Sequence, residues 1–179
     1  MQETVKLPEG ITVIKEGSFL AVTGKLGEIK KEFETPSVNF AVKGNEVVFS
    51  SKLESRRQKK EINTFVSELE SIIVGVQKGY TYKMKIVFAH FPINMKVDKE
   101  KNRVVIENFL GERVPRYAGL FPGVEVKIQK QDVIVTGIDL YSVSQTAANI
   151  ERAGRIVRKD RRTFQDGIYI TEKKLVGKQ

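Results

Sequence analysis

The chain repeats itself. At a shift of 84, Pro8 meets Pro92, Val13 meets Val97, Leu20-Ala21-Val22 meets Val104-Val105-Ile106, and Leu26-Gly27-Glu28 meets an identical Leu110-Gly111-Glu112. A shift of 86 carries Val38 onto Val124 and Asn45-Glu46-Val47-Val48-Phe49-Ser50 onto Gln131-Asp132-Val133-Ile134-Val135-Thr136. A shift of 81 then carries Ile62, Phe65, Val66, Leu69, Ile72 and Ile73 onto Val143, Thr146, Ala147, Ile150, Ala153 and Gly154. Three correspondences in the same order mean a duplicated unit, with loops of unequal length absorbing the changes of shift. The fold is thereby limited to two copies of something that half of a 179-residue chain can build.

Each copy has the same grammar. Ile11 and Val13 alternate with polar neighbours, as do Met95 and Val97, which is the pattern of a half-buried strand. Phe19 to Thr23 and Val104 to Glu107 are short apolar strands rich in branched residues, entered by turns at Glu16-Gly17-Ser18 and at 98–102. Val38 to Val42 alternates, Lys43-Gly44-Asn45 turns the chain, and Glu46 to Phe49 returns; Val124, Val126, Ile128 and then Val133 to Val135 repeat the hairpin.

The apolar period then changes from two to 3.6. Residues 62, 65, 66, 69, 72, 73 and 76 form one stripe, with Gly79 placed to stop the helix. A lighter helix follows Asp139, a natural cap, with Val143, Ala147, Ile150 and Ala153 inward. The predicted class is α+β: two tandem homologous domains, each an antiparallel sheet packed against one helix, plus a basic C-terminal extension. The expected boundaries are 1–81, 82–154 and 155–179, with a strand at Tyr80 to Ala89 joining the copies.

Charge is as uneven as the fold is regular. From Arg152 to Gln179 stand nine Lys or Arg and three acids, a net +6 out of a total of +9. A field this local suits a polyanion, and five of the nine cations are Arg, able to clamp phosphate oxygens in pairs. Phe164 and Tyr169 supply flat faces for sugar or base. The plainer reading is a solvated basic terminus. Asp166-Gly167 is a turn signal and Ile168-Tyr169-Ile170 a short strand by propensity, so the segment has structure of its own. Without a repeated aromatic platform for single-stranded bases, the residues favour folded, double-stranded or junction RNA, read by phosphate, 2′-hydroxyl and shape.

Other chemistries are thinly provided for. The chain has no cysteine and one histidine, so disulfides, thiolate metal sites and His clusters are excluded. His90, beside Phe91-Pro92 at a strand end, reads as structural. Gly24-Lys25 lacks the glycine a phosphate loop needs five residues earlier, where Phe19 stands. The carboxylates Glu68, Glu70, Asp132 and Asp139 sit on polar faces of periodic segments without pairing. No catalytic residue, metal site or cofactor is expected, and no apolar run reaches the roughly 18 to 20 residues of a membrane span. Among the remaining cations, Arg56, Arg57, Lys59 and Lys60 open the first helix and fit either solvated surface or phosphate contact. Arg113 and Arg116 follow the repeated Leu-Gly-Glu where the first copy has Ile29 and Glu32, which points to the second copy as the one that meets the anion.

The duplicated unit, Gly137-Ile138-Asp139 leading to Ser144-Gln145-Thr146-Ala147-Ala148-Asn149-Ile150, and the closing Phe164-Gln165-Asp166-Gly167-Ile168-Tyr169-Ile170 together resemble the sixth large-subunit ribosomal protein family. The resemblance covers essentially the whole chain and is nearest the archaeal and eukaryotic branch; the Lys/Gly-rich tail of the bacterial branch is absent. It implies a structural constituent of the large ribosomal subunit in the cytoplasm. It further implies that the second domain and tail bind large-subunit ribosomal RNA near the sarcin–ricin loop, with ribosomal proteins as neighbours and translational GTPases docking nearby. The expected RNA contacts are Arg155, Arg158, Lys159, Arg161, Arg162, Lys173 and Lys174, then Arg113 and Arg116, with Phe164 and Tyr169 packing beside them. Two other readings fit the residues: a general nucleic-acid binder outside the ribosome, and a protein-interaction scaffold with a solubilising tail. A monomer off the ribosome is expected.

Overall fold

The computed structural model describes residues 2–33, 35–52, 55–160 and 162–175, with Lys174 and Leu175 described by backbone alone. The chain divides into two compact units, Met1–Gly79 and Tyr80–Gln179. The first runs β1 (Gln2–Lys6), β2 (Thr12–Glu16), β3 (Phe19–Gly24), β4 (Gly27–Glu32), β5 (Asn39–Lys43), β6 (Glu46–Ser50) and α1 (Arg56–Lys78). Its strands form two antiparallel three-stranded sheets, ordered β1-β6-β5 and β2-β3-β4.

The second unit repeats this order: β7 (Tyr80–Val87), β8 (Asn94–Asp98), β9 (Arg103–Glu107), β10 (Arg116–Gly119), β11 (Val124–Gln129), β12 (Asp132–Gly137) and α2 (Leu140–Ala153). Its sheets are ordered β10-β9-β8 and β11-β12-β7-β13, the last strand being β13 (Gly167–Leu175). Element for element the duplication is structural, with two sheets in each copy where the apolar pattern predicts one. The short charged strands explain the difference: β4, Gly-Glu-Ile-Lys-Lys-Glu, alternates half-buried with exposed residues and carries a single large apolar side chain. Neither β1 nor β10 follows from the apolar pattern.

The cores follow the two periods. In the first unit Leu20, Val22, Phe33, Val47, Phe49, Ile62, Leu69 and Val76 are wholly buried, so the α1 stripe and the inward strand positions meet in one cluster. Phe33 sits at its centre, 5.7 Å from Phe65, 5.8 Å from Phe49 and 6.4 Å from Phe40, in edge-on and tilted contacts. Helix α1 ends at Gly79, whose N–H reaches the Gly75 carbonyl at 2.9 Å. In the second unit Asp139 caps α2, its carboxylate accepting from Tyr141 N (3.3 Å) and Ser142 N (3.0 Å).

One contact in the first unit leaves no room for a side chain. The backbone N–H of Leu26 donates to the Val76 carbonyl at 3.0 Å, bringing the β3–β4 turn onto the last turn of α1. A Cβ on Gly24 would lie 2.7 Å from Val76 Cγ2 and 2.9 Å from Val76 O. Gly24→Ala is therefore expected to destabilise the first unit by about 1–3 kcal/mol, the usual range for overpacking. A thermal or denaturant melt checks this, and an unchanged midpoint would mean that the turn can lift away freely.

The strand at the join belongs to the second unit, as an interior strand of its larger sheet. β7 lies between β12 and β13, with Ile168 opposite Ile86 and Ile170 opposite Met84. Part of the stretch expected as an extension, 155–179, thus completes a sheet. Ile168 is 1% exposed and faces the core beside Met84 and Ile86.

Candidate nucleic-acid interface

Through Gly79 the chain has twelve Lys and Arg against eleven acids; beyond it, nineteen against eleven. The excess lies almost wholly in the second unit. There the backbone from the end of α2 to β13 alternates inward pins with outward cations. Gly154 and Ile156 are buried, and a Cβ on Gly154 would come within 3.2 Å of the Ile168 backbone nitrogen. Arg152, Arg155, Arg158, Lys159 and Arg162 are exposed, as is Lys173 on β13. Alternation of this kind presents guanidinium groups to solvent from a backbone pinned at Gly154 and Ile156.

The far end of this segment is fastened by a clasp. Asp166, a turn residue by its sequence context, is 0% exposed. Its carboxylate accepts from the His90 backbone N–H at 3.3 Å and sits 2.9 Å from His90 Nδ1. Since a carboxylate only accepts, Nδ1 carries the proton in this pair. Burial pushes the Asp166 carboxyl upward, but the His90 ring and the backbone N–H groups of His90 and Ala89 outweigh it and hold the group below its ordinary value. The Phe164 ring stacks on His90 with centroids 4.6 Å apart, and Lys159 Nζ stands 4.5 Å from the Phe164 centroid. A turn on Asp160, whose carbonyl accepts from Thr163 N and Phe164 N, delivers Phe164 to that stack.

The predicted contacts therefore separate. Arg155, Arg158, Lys159, Arg162, Lys173 and Arg113 stand in solvent, and Tyr169 is 36% exposed. Arg161 lies outside the described residues, and Lys174 is a backbone position of β13. Phe164 is engaged within the unit by His90 and Lys159.

Arg116, expected among the outward contacts, is bonded within the unit. Its guanidinium donates to the carbonyls of Ala153 (3.0 Å) and Arg155 (2.8 Å), grips Glu112 through two nitrogens (2.7 and 2.5 Å) and lies 4.1 Å from the Phe109 ring centroid. That grip by Arg116 holds the Glu112 carboxyl below the ordinary carboxylate range, against a smaller opposing effect of burial. With its donors turned inward, Arg116 positions the backbone that carries the exposed arginines. Nothing in the local sequence separates it from Arg113. Arg152 is absent from the expected contacts, although its place on the polar face of α2 and its share in the tail's charge could have marked it.

Arg152 belongs to two surface crevices beside the last turn of α2. One, between α2 and β13, is also lined by Arg155, Glu151, Ile168 and Tyr169; the other, between α2 and β10, by Tyr117, Gly119 and Asn149. Over Tyr117 lies the Arg103 guanidinium, 4.1 Å from the ring centroid. Among the described residues there is no group of three or more His, Cys, Asp or Glu that could hold a metal, and no helix long and apolar enough to cross a membrane.

The family model for ribosomal protein L6 matches residues 91–167, which takes in the second unit from just past β7 to the start of β13. The large ribosomal subunit protein uL6 of Methanocella arvoryzae is 42% identical over 94% of this chain and 95% of its own length. The uL6 proteins of Aeropyrum pernix (43%, over 97% and 95%) and Ignicoccus hospitalis (46%, over 93% and 91%) are similarly close. Identity at this level across nearly the full length of both partners leaves one conclusion: the chain belongs to the ribosomal protein L6 family.

Proposed function

We propose that the chain is a structural, non-enzymatic constituent of the large ribosomal subunit in the cytoplasm. In this reading its second unit binds large-subunit ribosomal RNA near the sarcin–ricin loop, beside the region where translational GTPases dock and with other ribosomal proteins as neighbours. One observation carries the RNA assignment: the outward arginines Arg152, Arg155, Arg158 and Arg162 on a backbone fastened at both ends, by Arg116 and by Asp166. Phosphates of converging RNA helices are the natural counter-ions of such a row, and a pre-ordered row loses little conformational freedom on binding. The first unit, near charge balance, provides folded surface for protein neighbours.

The test is competition binding to a large-subunit RNA fragment that carries the sarcin–ricin region, against unrelated duplex. The variant should be Arg155→Ala/Arg158→Ala/Arg162→Ala in the full chain, since truncation would also remove a strand of the sheet. Affinity is expected to fall. The log–log salt slope should flatten by about 0.7–0.9 for each phosphate that is no longer neutralised, so by roughly 2 to 3 if all three residues touch phosphate. An unchanged slope would rule out this segment as the contact. Equal binding of unrelated duplex by the unmodified chain would favour a general nucleic-acid binder.

A further inference from the structure

The crevice between α2 and β13 is built as more than a gap between charges. It has a volume of about 450 Å³, within the roughly 300–1,000 Å³ typical of clefts that hold small organic groups. One wall is the Tyr169 ring, and that ring is fixed in place. Its hydroxyl donates to the Gln165 carbonyl at 3.2 Å, and the ring lies against Gly167, where a Cβ would meet Cζ and Oη at 2.9 Å. Gly167 is thus the residue that allows the tyrosine to fold back flat over its own strand. Ile168 and Ile156, both buried, line the apolar part, and Arg152 and Arg155 stand at the rim. Neither guanidinium has an ion-pair partner among the described residues. The one acid in the lining, Glu151, turns an oxygen toward the Ile170 backbone N–H at 3.4 Å, at the edge of β13.

A rigid aromatic wall, an apolar lining and two unopposed guanidinium groups are what an unpaired nucleotide needs. The base stacks on the ring while the flanking phosphates meet the arginines. We infer that this crevice receives a single extruded nucleotide from the bound RNA. The inference rests on the RNA-binding reading above and adds to it a preference for a bulge or loop over continuous duplex. Phe164 cannot serve the same purpose, because its ring is engaged by His90 and Lys159. Tyr169 is the aromatic that lines this crevice.

The experiment uses two short RNA hairpins of equal charge density, one with a single bulged purine and one fully paired, titrated with the full-length chain. The bulged hairpin is expected to bind more tightly, by roughly five- to 150-fold if the base stacks as aromatic platforms usually allow. Tyr169→Ala should erase that preference, costing the bulged hairpin far more affinity than the paired one. Tyr169→Phe, which keeps the ring, should retain most of it. Thermal melts verify that both variants fold. Equal binding of the two hairpins by the unmodified chain overturns the inference, as does a preference that survives in Tyr169→Ala. Absence of selectivity for large-subunit RNA over unrelated duplex would instead sink the ribosomal reading, with the hairpin preference still standing.

Discussion

Replacing Asp166 with alanine is expected to destabilise the second unit by about 2–4 kcal/mol, near the range for removing one partner of a buried, hydrogen-bonded charge. The carboxylate is fully buried and serves the His90 ring together with two backbone N–H groups, so the alanine variant leaves three donors without an acceptor. The effect should fall short of the upper end because the His90 side chain, 36% exposed, recovers some hydration. Asp166→Asn should be milder, since one amide oxygen still accepts. The pH dependence follows from sign. The native carboxyl titrates below its ordinary value of 3.8, so the stability it provides is complete above that value and is lost as pH falls through the lower native one. The gap between the unmodified chain and Asp166→Asn should therefore narrow in acid. Denaturant titrations across pH 2–7 measure it, and a constant gap would mean that the carboxylate is not the stabilising species.

Arg116→Ala should cost a similar amount, about 2–4 kcal/mol, and through a different route. The guanidinium is 23% exposed and satisfies two main-chain carbonyls as well as Glu112. Charge-assisted bonds of this kind contribute roughly 1.5–3 kcal/mol each before the packing on Phe109 is counted, and they are not additive. Arg116→Lys should rescue little, because one ammonium cannot hold the Glu112 carboxylate by two bonds and reach both carbonyls. The pair of variants separates positioning from charge. If Arg116 met phosphate directly, lysine would preserve RNA affinity and alanine would spare the melting temperature. The structure predicts a lower melting temperature in both.

Much of the fold is legible in the sequence because it is written as apolar spacing. The α1 stripe, the hairpins at Gly44 and at 129–132, the Asp139 cap and the Gly79 stop depend on residues within a few positions of one another. What escapes is either too short to have a period or too distant to be local. β4 spreads four charges over six residues, and β10 is only four residues long. The pairing of β13 with β7 joins Ile168 to Ile86 across the whole second copy, and no local pattern names a strand's partner. The site shows the same division. A basic segment is visible as composition, so Arg155, Arg158 and Arg162 can be picked out. Whether an arginine faces water or a carbonyl is decided by the backbone opposite it, and Arg113 and Arg116 look alike until Ala153 and Arg155 are placed beside one of them. Asp166-Gly167 misleads for a related reason: a residue pair common in turns is here a buried anchor followed by a glycine that makes room for the ring above it.

The strand order of the larger sheet sets a timetable for synthesis. β7 is made at residues 80–87, but one of its two neighbours is drawn from residues 167–175. While the chain is being translated, the first unit has every strand of its sheets once α1 emerges, whereas β7 waits for almost the entire second copy with one side uncovered. The row of arginines is held at one end by contacts that form only with Asp166 and β13. A polypeptide halted at residue 160 would carry many of the same cations without the geometry that aims them. On the proposed RNA-binding reading, competence to grip RNA is acquired in the last moments of manufacture, and an unfinished copy is poorly equipped to occupy a place in a growing assembly.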